Sequence, residues 1–178
     1  MNPSPLPRLR AVFVALCAAG LLAACSNGDG GSAQVVPIEI DRSTACALDG
    51  MLLADYAGPK AQIHYEDTAQ PDFFCDTVEM FNIYLTPEQA RRVIALYVQD
   101  MGKADWDRPE GHWIDARRAY YVVGSKRLGS MGPTIASFAA EADARQFATT
   151  HGGKLLRFDE VKPEMVTLDG GALHDQSM

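Results

Sequence analysis

The apolar positions of this chain change their spacing several times, and each change predicts an element. Over 61–66 they alternate: Ala61, Ile63 and Tyr65 share one face, and Gln62, His64 and Glu66 the other. A period of two marks a strand with a polar face toward solvent, which is where His64 is expected. Pro71-Asp72 breaks the run, and Phe73-Phe74-Cys75 leads to Asp76, a helix N-cap with Glu79 three residues on, a capping-box arrangement. Phe81, Tyr84 and Leu85 follow at helical spacing. Thr86-Pro87-Glu88-Gln89 carries the strongest helix signal in the chain: an N-cap, a proline at the first helical position and a capping Gln. Ala90, Val93, Ile94 and Tyr97 then fall on one face of that second helix.

After a loop over 101–111 with Trp106 and Pro109, the pattern restarts at Trp113-Ile114-Asp115-Ala116. Residues 119–123 read as a β-rich strand stopped by Gly124. Gly129-Ser130-Met131-Gly132-Pro133 is a turn cluster. Ser137 can cap a helix with Phe138, Ala142 and Phe147 that ends at His151-Gly152-Gly153, and 154–158 is a closing strand. Val35, Val36, Ile38 and Ile40 form an extended lead-in. The order strand, turn, aromatic residue, helix occurs twice, as Tyr65…Phe74-helix and Tyr121…Phe138-helix, a hint of internal duplication. The expected fold is α+β: one domain over 35–168 made of two similar small ββαβ-type halves, about 35–110 and 111–168.

The first two dozen residues fit none of this. Arg8 and Arg10 precede an uncharged apolar run that ends in Leu22-Ala23-Ala24-Cys25. A basic start, a short apolar stretch and small residues at its end make a secretory signal, 1–24, too short to span a bilayer. The last four residues resemble a bacterial lipobox, so Cys25 is expected to be diacylated as the new N-terminus. Residues 25–34 then form a lipidated Gly/Ser tether to the membrane, and 169–178 a disordered tail. Processing removes two of the 16 basic and none of the 23 acidic residues, which takes the net charge from -7 to -9. An acidic domain without clustered Lys and Arg excludes nucleic acid as a partner.

Processing also changes the thiol count. Of 4 Cys, Cys17 leaves and Cys25 takes lipid, so Cys46 and Cys75 keep thiols. The chain lacks a Gly-rich loop after a strand, a G-x-S-x-G elbow, a C-x-x-C pair and an H-E-x-x-H helix, so no ordinary catalytic constellation is present. What remains is Cys46-Ala47-Leu48-Asp49-Gly50-Met51: a thiol and a thioether across a flexible Asp-Gly, able to converge on one soft ion such as Cu(I). The bland alternative is two small core hydrophobes. Cys75 could pair with Cys46 in an oxidising compartment or sit free at a helix start, a structural role in either case. Met80 falls on a helix as packing, and Met101 sits before Gly102. Met131, between glycines in a turn, is the preferred extra soft ligand, and His112, beside Trp113, the best imidazole. His151 reads as a helix end, and His174 lies in the tail.

At these motifs the chain resembles the NosL family from Cys46 to about Glu160. Beyond the lipobox, the resemblance rests on Cys46…Gly50-Met51, Gly58-Pro59-Lys60-Ala61-Gln62, and Phe74-Cys75-Asp76-Thr77-Val78-Glu79-Met80-Phe81. It continues through Tyr97-Val98-Gln99-Asp100-Met101-Gly102, His112-Trp113-Ile114-Asp115-Ala116, Met131-Gly132-Pro133 and His151-Gly152-Gly153. The resemblance implies a copper-binding lipoprotein, not an enzyme, held at the periplasmic side of the outer membrane. It implies one Cu(I) per chain, delivered to nitrous-oxide reductase, with that reductase and its copper-centre maturation membrane complex as partners. It implies a fold of two similar halves related to organomercurial lyase, and a site of Cys46 and Met51 first, with Met131 and His112 as lesser ligands. Many family members read C-x-x-C-G-M, whereas Asp49 stands at the second cysteine here, which leaves one thiol in the loop. Two other readings stay open: a thiol-dependent organometal lyase using Cys46, Cys75 and Asp76, and a structural lipoprotein stapled by a Cys46–Cys75 disulfide.

Overall fold

A computed structural model describes residues 35–130 and 132–168. Strands β1 (Ala61–Tyr65) and β2 (Asp72–Phe74) form a hairpin, helix α1 (Thr77–Leu85) follows, and β3 (Val93–Gln99) returns to pair with β1. Strand β4 (Trp113–Asp115), placed by sequence at the head of the second half, is hydrogen-bonded to β3, which completes a four-stranded antiparallel sheet ordered β2-β1-β3-β4. The second sheet contains β5 (Tyr120–Val123), β8 (Ala136–Phe138) and β9 (Lys154–Arg157), with helix α2 (Glu141–His151) between the last two. Its order is β8-β5-β9, all antiparallel. A short hairpin, β6 (Leu128–Gly129) with β7 (Gly132–Pro133), lies between β5 and β8.

The α+β class and the two ββαβ halves are therefore present, and the duplication is visible in the topology. In each half the first strand is central, the second pairs on one side, a helix crosses, and the third pairs on the other side. One core joins them. Ala61, Ile63, Tyr65, Leu96 and Val98 of the first sheet bury with Met80 and Phe81 of α1 against Tyr121 and Leu156 of the second. Polar stitches link the sheets at the ends of β3 and β8. Ser137 Oγ donates to the Gln99 carbonyl at 2.6 Å, and the Met101 amide to the Ser137 carbonyl at 2.8 Å.

Three local expectations are corrected. The helix at Thr86-Pro87-Glu88-Gln89 does not form: Thr86 is the C-cap of α1, Pro87 and Glu88 make a turn, and β3 follows. Its sequence is rich in Val, Ile and Tyr, and pairing with β1 satisfies their backbone along a central strand. Ile94, assigned to the buried helical face, is exposed instead. Tertiary pairing has outweighed a good local start signal. Ser137 lies inside β8, and α2 begins four residues later without a side-chain cap. The C-terminal expectation holds, because Gly152 ends α2 with φ 76°. His64 is buried, not solvent-facing. The lead-in covers that face of β1: the Ile38 amide donates to Gln62 Oε1 at 2.9 Å and Gln62 Nε2 to the Ile38 carbonyl at 3.1 Å. His64 Nε2 then lies 2.8 Å from Gln62 Oε1.

Candidate metal centre

The site begins with a six-residue reversal. The Cys46 amide donates to the Met51 carbonyl at 2.8 Å and the Gly50 amide to the Cys46 carbonyl at 2.9 Å, so residues 46–51 close on themselves. Asp49 Oδ1 accepts from the Met51 amide at 2.9 Å, and Gly50 takes φ 78°, a left-handed conformation that glycine adopts without strain. The Asp-Gly pair thus forms the turn. One further bond, the Ala47 amide to the Phe73 carbonyl at 2.8 Å, fastens the loop to β2. That bond carries Cys46 to the chain segment holding Cys75.

Cys75 sits between β2 and the Asp76 N-cap, so its thiol is at the start of α1, and Glu79 lies in the first turn of the same helix. Asp76 Oδ1 accepts from the Val78 amide at 2.9 Å, but the expected capping box is absent. The Glu79 carboxylate turns instead to Cys46, with Oε2 3.3 Å from Sγ. Cys46, Cys75 and Glu79 are all buried, and their ligand atoms lie within 4.8 Å of one another. Both thiols are free. Met51 packs against this cluster with Ile40, Leu53, Tyr56 and Phe73.

The protons of this group are unevenly held. The neighbouring Cys75 thiol first, and the Leu48 amide 3.4 Å from Sγ, lower the Cys46 thiol to about 6 against the opposing effect of burial. Cys75, whose Sγ faces the Met51 carbonyl at 3.8 Å, is pushed well up by the adjacent Cys46 and by burial. Burial first, and the neighbouring Cys46 charge second, raise Glu79 to about 8. Of the three groups Cys46 is shifted toward its charged form, and Cys75 and Glu79 toward their neutral forms. Beneath it is Lys60, fully buried, whose Nζ donates to the Ala57 and Cys75 carbonyls at 3.0 Å each.

The β6–β7 hairpin is built against the same place. Thr134 Oγ1 donates to Asp76 Oδ1 at 2.6 Å, and a Cβ on Gly129 would stand 2.1 Å from Asp76 Oδ2. Gly58, with φ +83°, would put a Cβ 2.9 Å from Gly129 Cα, so these two backbones touch. Met131 and Cys25 themselves lie outside the described residues. His112 is exposed, at φ 54°, where β4 begins. The order β2-β1-β3-β4 separates its strand from β2 by three strand spacings, about 14 Å, so it is not brought to the thiols.

Two thiols and a carboxylate converging among buried residues make a small site with soft sulfur donors that could hold a metal ion. The NosL family pattern matches residues 37–166. The chain belongs to the NosL family. It is 38% identical over 161 residues to the copper-binding lipoprotein NosL of Stutzerimonas stutzeri, covering 88% of this chain and 84% of that protein. To the copper-binding lipoprotein NosL of Achromobacter cycloclastes it is 38% identical over 163 residues, covering 89% and 83%. The crystal structure of the copper chaperone NosL from Shewanella denitrificans superposes with a TM-score of 0.70 at 39% identity, covering 72% of this chain and 97% of that one. These are names of binding proteins, not of enzymes. In this member of the NosL family the carboxylate required by a lyase reading, Asp76, is occupied as helix cap and partner of Thr134.

Sequence reasoning missed two members of the site. From sequence, Cys75 reads as a structural thiol or as the second thiol of a lyase, and Glu79 as part of a capping box. The signal was their joint spacing about a single N-cap: a residue just before the cap and one in the first turn project from the same helix end.

Proposed function

We propose that this chain is a Cu(I) metallochaperone, anchored by lipid on Cys25 in the periplasm, that carries one copper ion for assembly of the catalytic copper–sulfide centre of nitrous-oxide reductase. The observation that carries the reading is the convergence of Cys46, Cys75 and Glu79 within 4.8 Å in a family whose relatives are named for copper binding. Cys46 supplies a ready thiolate. Cys75 gives up its proton as the metal enters, because a thiolate and not a thiol is the ligand. The thioethers of Met51 and Met131 complete a soft, low-coordinate shell.

Such a shell suits transfer. An incoming ligand from the maturation complex can add to the ion before an outgoing one leaves, so copper is never released to water. The loop 47–50 above Cys46 is exposed on all four residues and offers the approach. The 25–34 tether gives the domain reach from the membrane, and among the described residues no helix is long and apolar enough to cross it.

The test is competition with a Cu(I) chelator under reducing conditions. The wild type binds one equivalent, and Cys46→Ser abolishes tight binding while near-ultraviolet circular dichroism stays native. Equal affinity in wild type and Cys46→Ser refutes the site. Delivery is tested by restoring activity to copper-depleted reductase with the loaded chain, and labelled palmitate on Cys25 tests the anchor.

A further inference from the structure

Cys46 and Cys75 are the free thiols among the described residues, and the fold holds their sulfurs within 4.8 Å of each other. The Ala47–Phe73 hydrogen bond sets the loop one interstrand spacing, about 5 Å, from the chain that runs into Cys75. A disulfide spans Cα separations of about 4.4–6.8 Å, so that spacing is within its reach. Both residues also converge on one atom. The Cys46 amide donates to the Met51 carbonyl at 2.8 Å, and the Cys75 thiol faces the same oxygen at 3.8 Å. Their access differs. Cys75 is 0% exposed, whereas Cys46, at 4%, is the root of a loop whose residues 47–50 are all exposed. Two adjacent thiols are the reduced half of a redox couple, and an oxidising compartment drives such a pair to the disulfide.

We infer that the Cys46–Cys75 pair is a redox gate on metal loading: as a disulfide it excludes copper, and a dithiol exchange partner must reduce it before the ion enters. The inference rests on the copper reading and adds the reaction that precedes loading. A disulfide sulfur is not a thiolate ligand, so oxidation removes both thiolates at once and leaves Glu79 with a thioether. Reduction starts at the accessible sulfur. A thiolate of the partner attacks Cys46 Sγ and forms a mixed disulfide there, the Cys46–Cys75 bond breaks, and Cys75 leaves as a thiolate that takes up a proton. The partner's second thiolate then attacks the partner's own sulfur in the mixed disulfide, and Cys46 leaves. Two electrons and two protons pass to the chain, which ends as the dithiol, and the partner ends as a disulfide. A monothiol stalls half-way, because Cys75 stands beside Cys46, re-attacks its Sγ and expels the monothiol. The partner class is therefore a dithiol.

The experiment oxidises the whole chain with oxidised glutathione, removes the glutathione, and measures Cu(I) binding by chelator competition under nitrogen. Peptide mass spectrometry is expected to place a Cys46–Cys75 bridge within one chain, with the far-ultraviolet circular dichroism unchanged. The oxidised chain should lose tight Cu(I) binding. Dithiothreitol should restore one equivalent, and glutathione at the same thiol concentration should do so at least about tenfold more slowly. The inference is overturned by an oxidised chain that carries no Cys46–Cys75 bridge, that unfolds, or that binds Cu(I) as the reduced chain does. Equal rates with the two reductants overturn the dithiol assignment. Failure of the reduced chain to bind Cu(I) defeats the copper reading itself, a separate result because the bridge is read by mass and not by metal.

Discussion

Replacing Cys75 by Ala tests whether the two thiols work as a unit. The Cys75 thiol beside Cys46 is the largest cause lowering the Cys46 thiol to about 6 from an ordinary 9.0, and burial opposes it. Removing that donor leaves the opposition and only weaker amide donors, so Cys46 should titrate at 9 or above. A change of about three pH units is about 4 kcal/mol of lost thiolate stabilisation. At pH 7 the thiolate fraction of Cys46 falls from about nine-tenths to about one-hundredth. Cys46 is 4% exposed, so water does not replace the lost donor. The assay is ultraviolet thiolate absorbance against pH on the reduced, metal-free protein. Cys75→Ala should lose the low-pH transition. Titration of Cys46 still near 6 in the variant would refute the pairing and leave the lowering to the Leu48 and Asp49 amides.

Glu79→Gln should make the metal-free protein more stable than wild type, increasingly so as pH rises. Glu79 is raised by burial from 4.5 to about 8, so the folded state holds a proton that the unfolded state releases, and stability is lost across that window. Thermal melts at pH 4.5 and pH 8 check it, and a pH-independent difference contradicts it. Gly129→Ala would set a Cβ 2.1 Å from Asp76 Oδ2 and 2.8 Å from Thr134 Cβ, so the hairpin must move off the site. Urea unfolding should show a loss of about 1–3 kcal/mol, and an unchanged midpoint argues against the contact. His112→Ala should leave Cu(I) affinity within about twofold, since its strand lies three spacings from β2; a tenfold loss would restore it as a ligand.

The fold class and the repeat were legible because alternation in β1, the Asp76 cap and the Gly152 stop are local signals that the tertiary structure kept. Thr86-Pro87-Glu88-Gln89 failed because the same apolar spacing serves a strand once a partner such as β1 is available, and a partner is not a local property. His64 failed for a related reason: its polar face is covered by the chain's own lead-in through Gln62. At the site, Cys46 and the Asp49-Gly50 turn were readable from one loop. Cys75 and Glu79 were not, because the bond from Ala47 to Phe73 that brings the loop to α1 spans 26 residues of sequence. Asp49 removes a second thiol from the loop, and the fold supplies one from the start of α1.

X-ray absorption at the copper edge of the Cu(I)-loaded protein tests the central claim most directly, comparing wild type with Cys75→Ser. If Cys46 and Cys75 hold the ion together, the wild type shows a sulfur shell to which Cys75 contributes one scatterer, and the variant loses that scatterer in favour of a light atom. An identical sulfur shell in both proteins would contradict the shared-thiolate site and return Cys75 to a structural role.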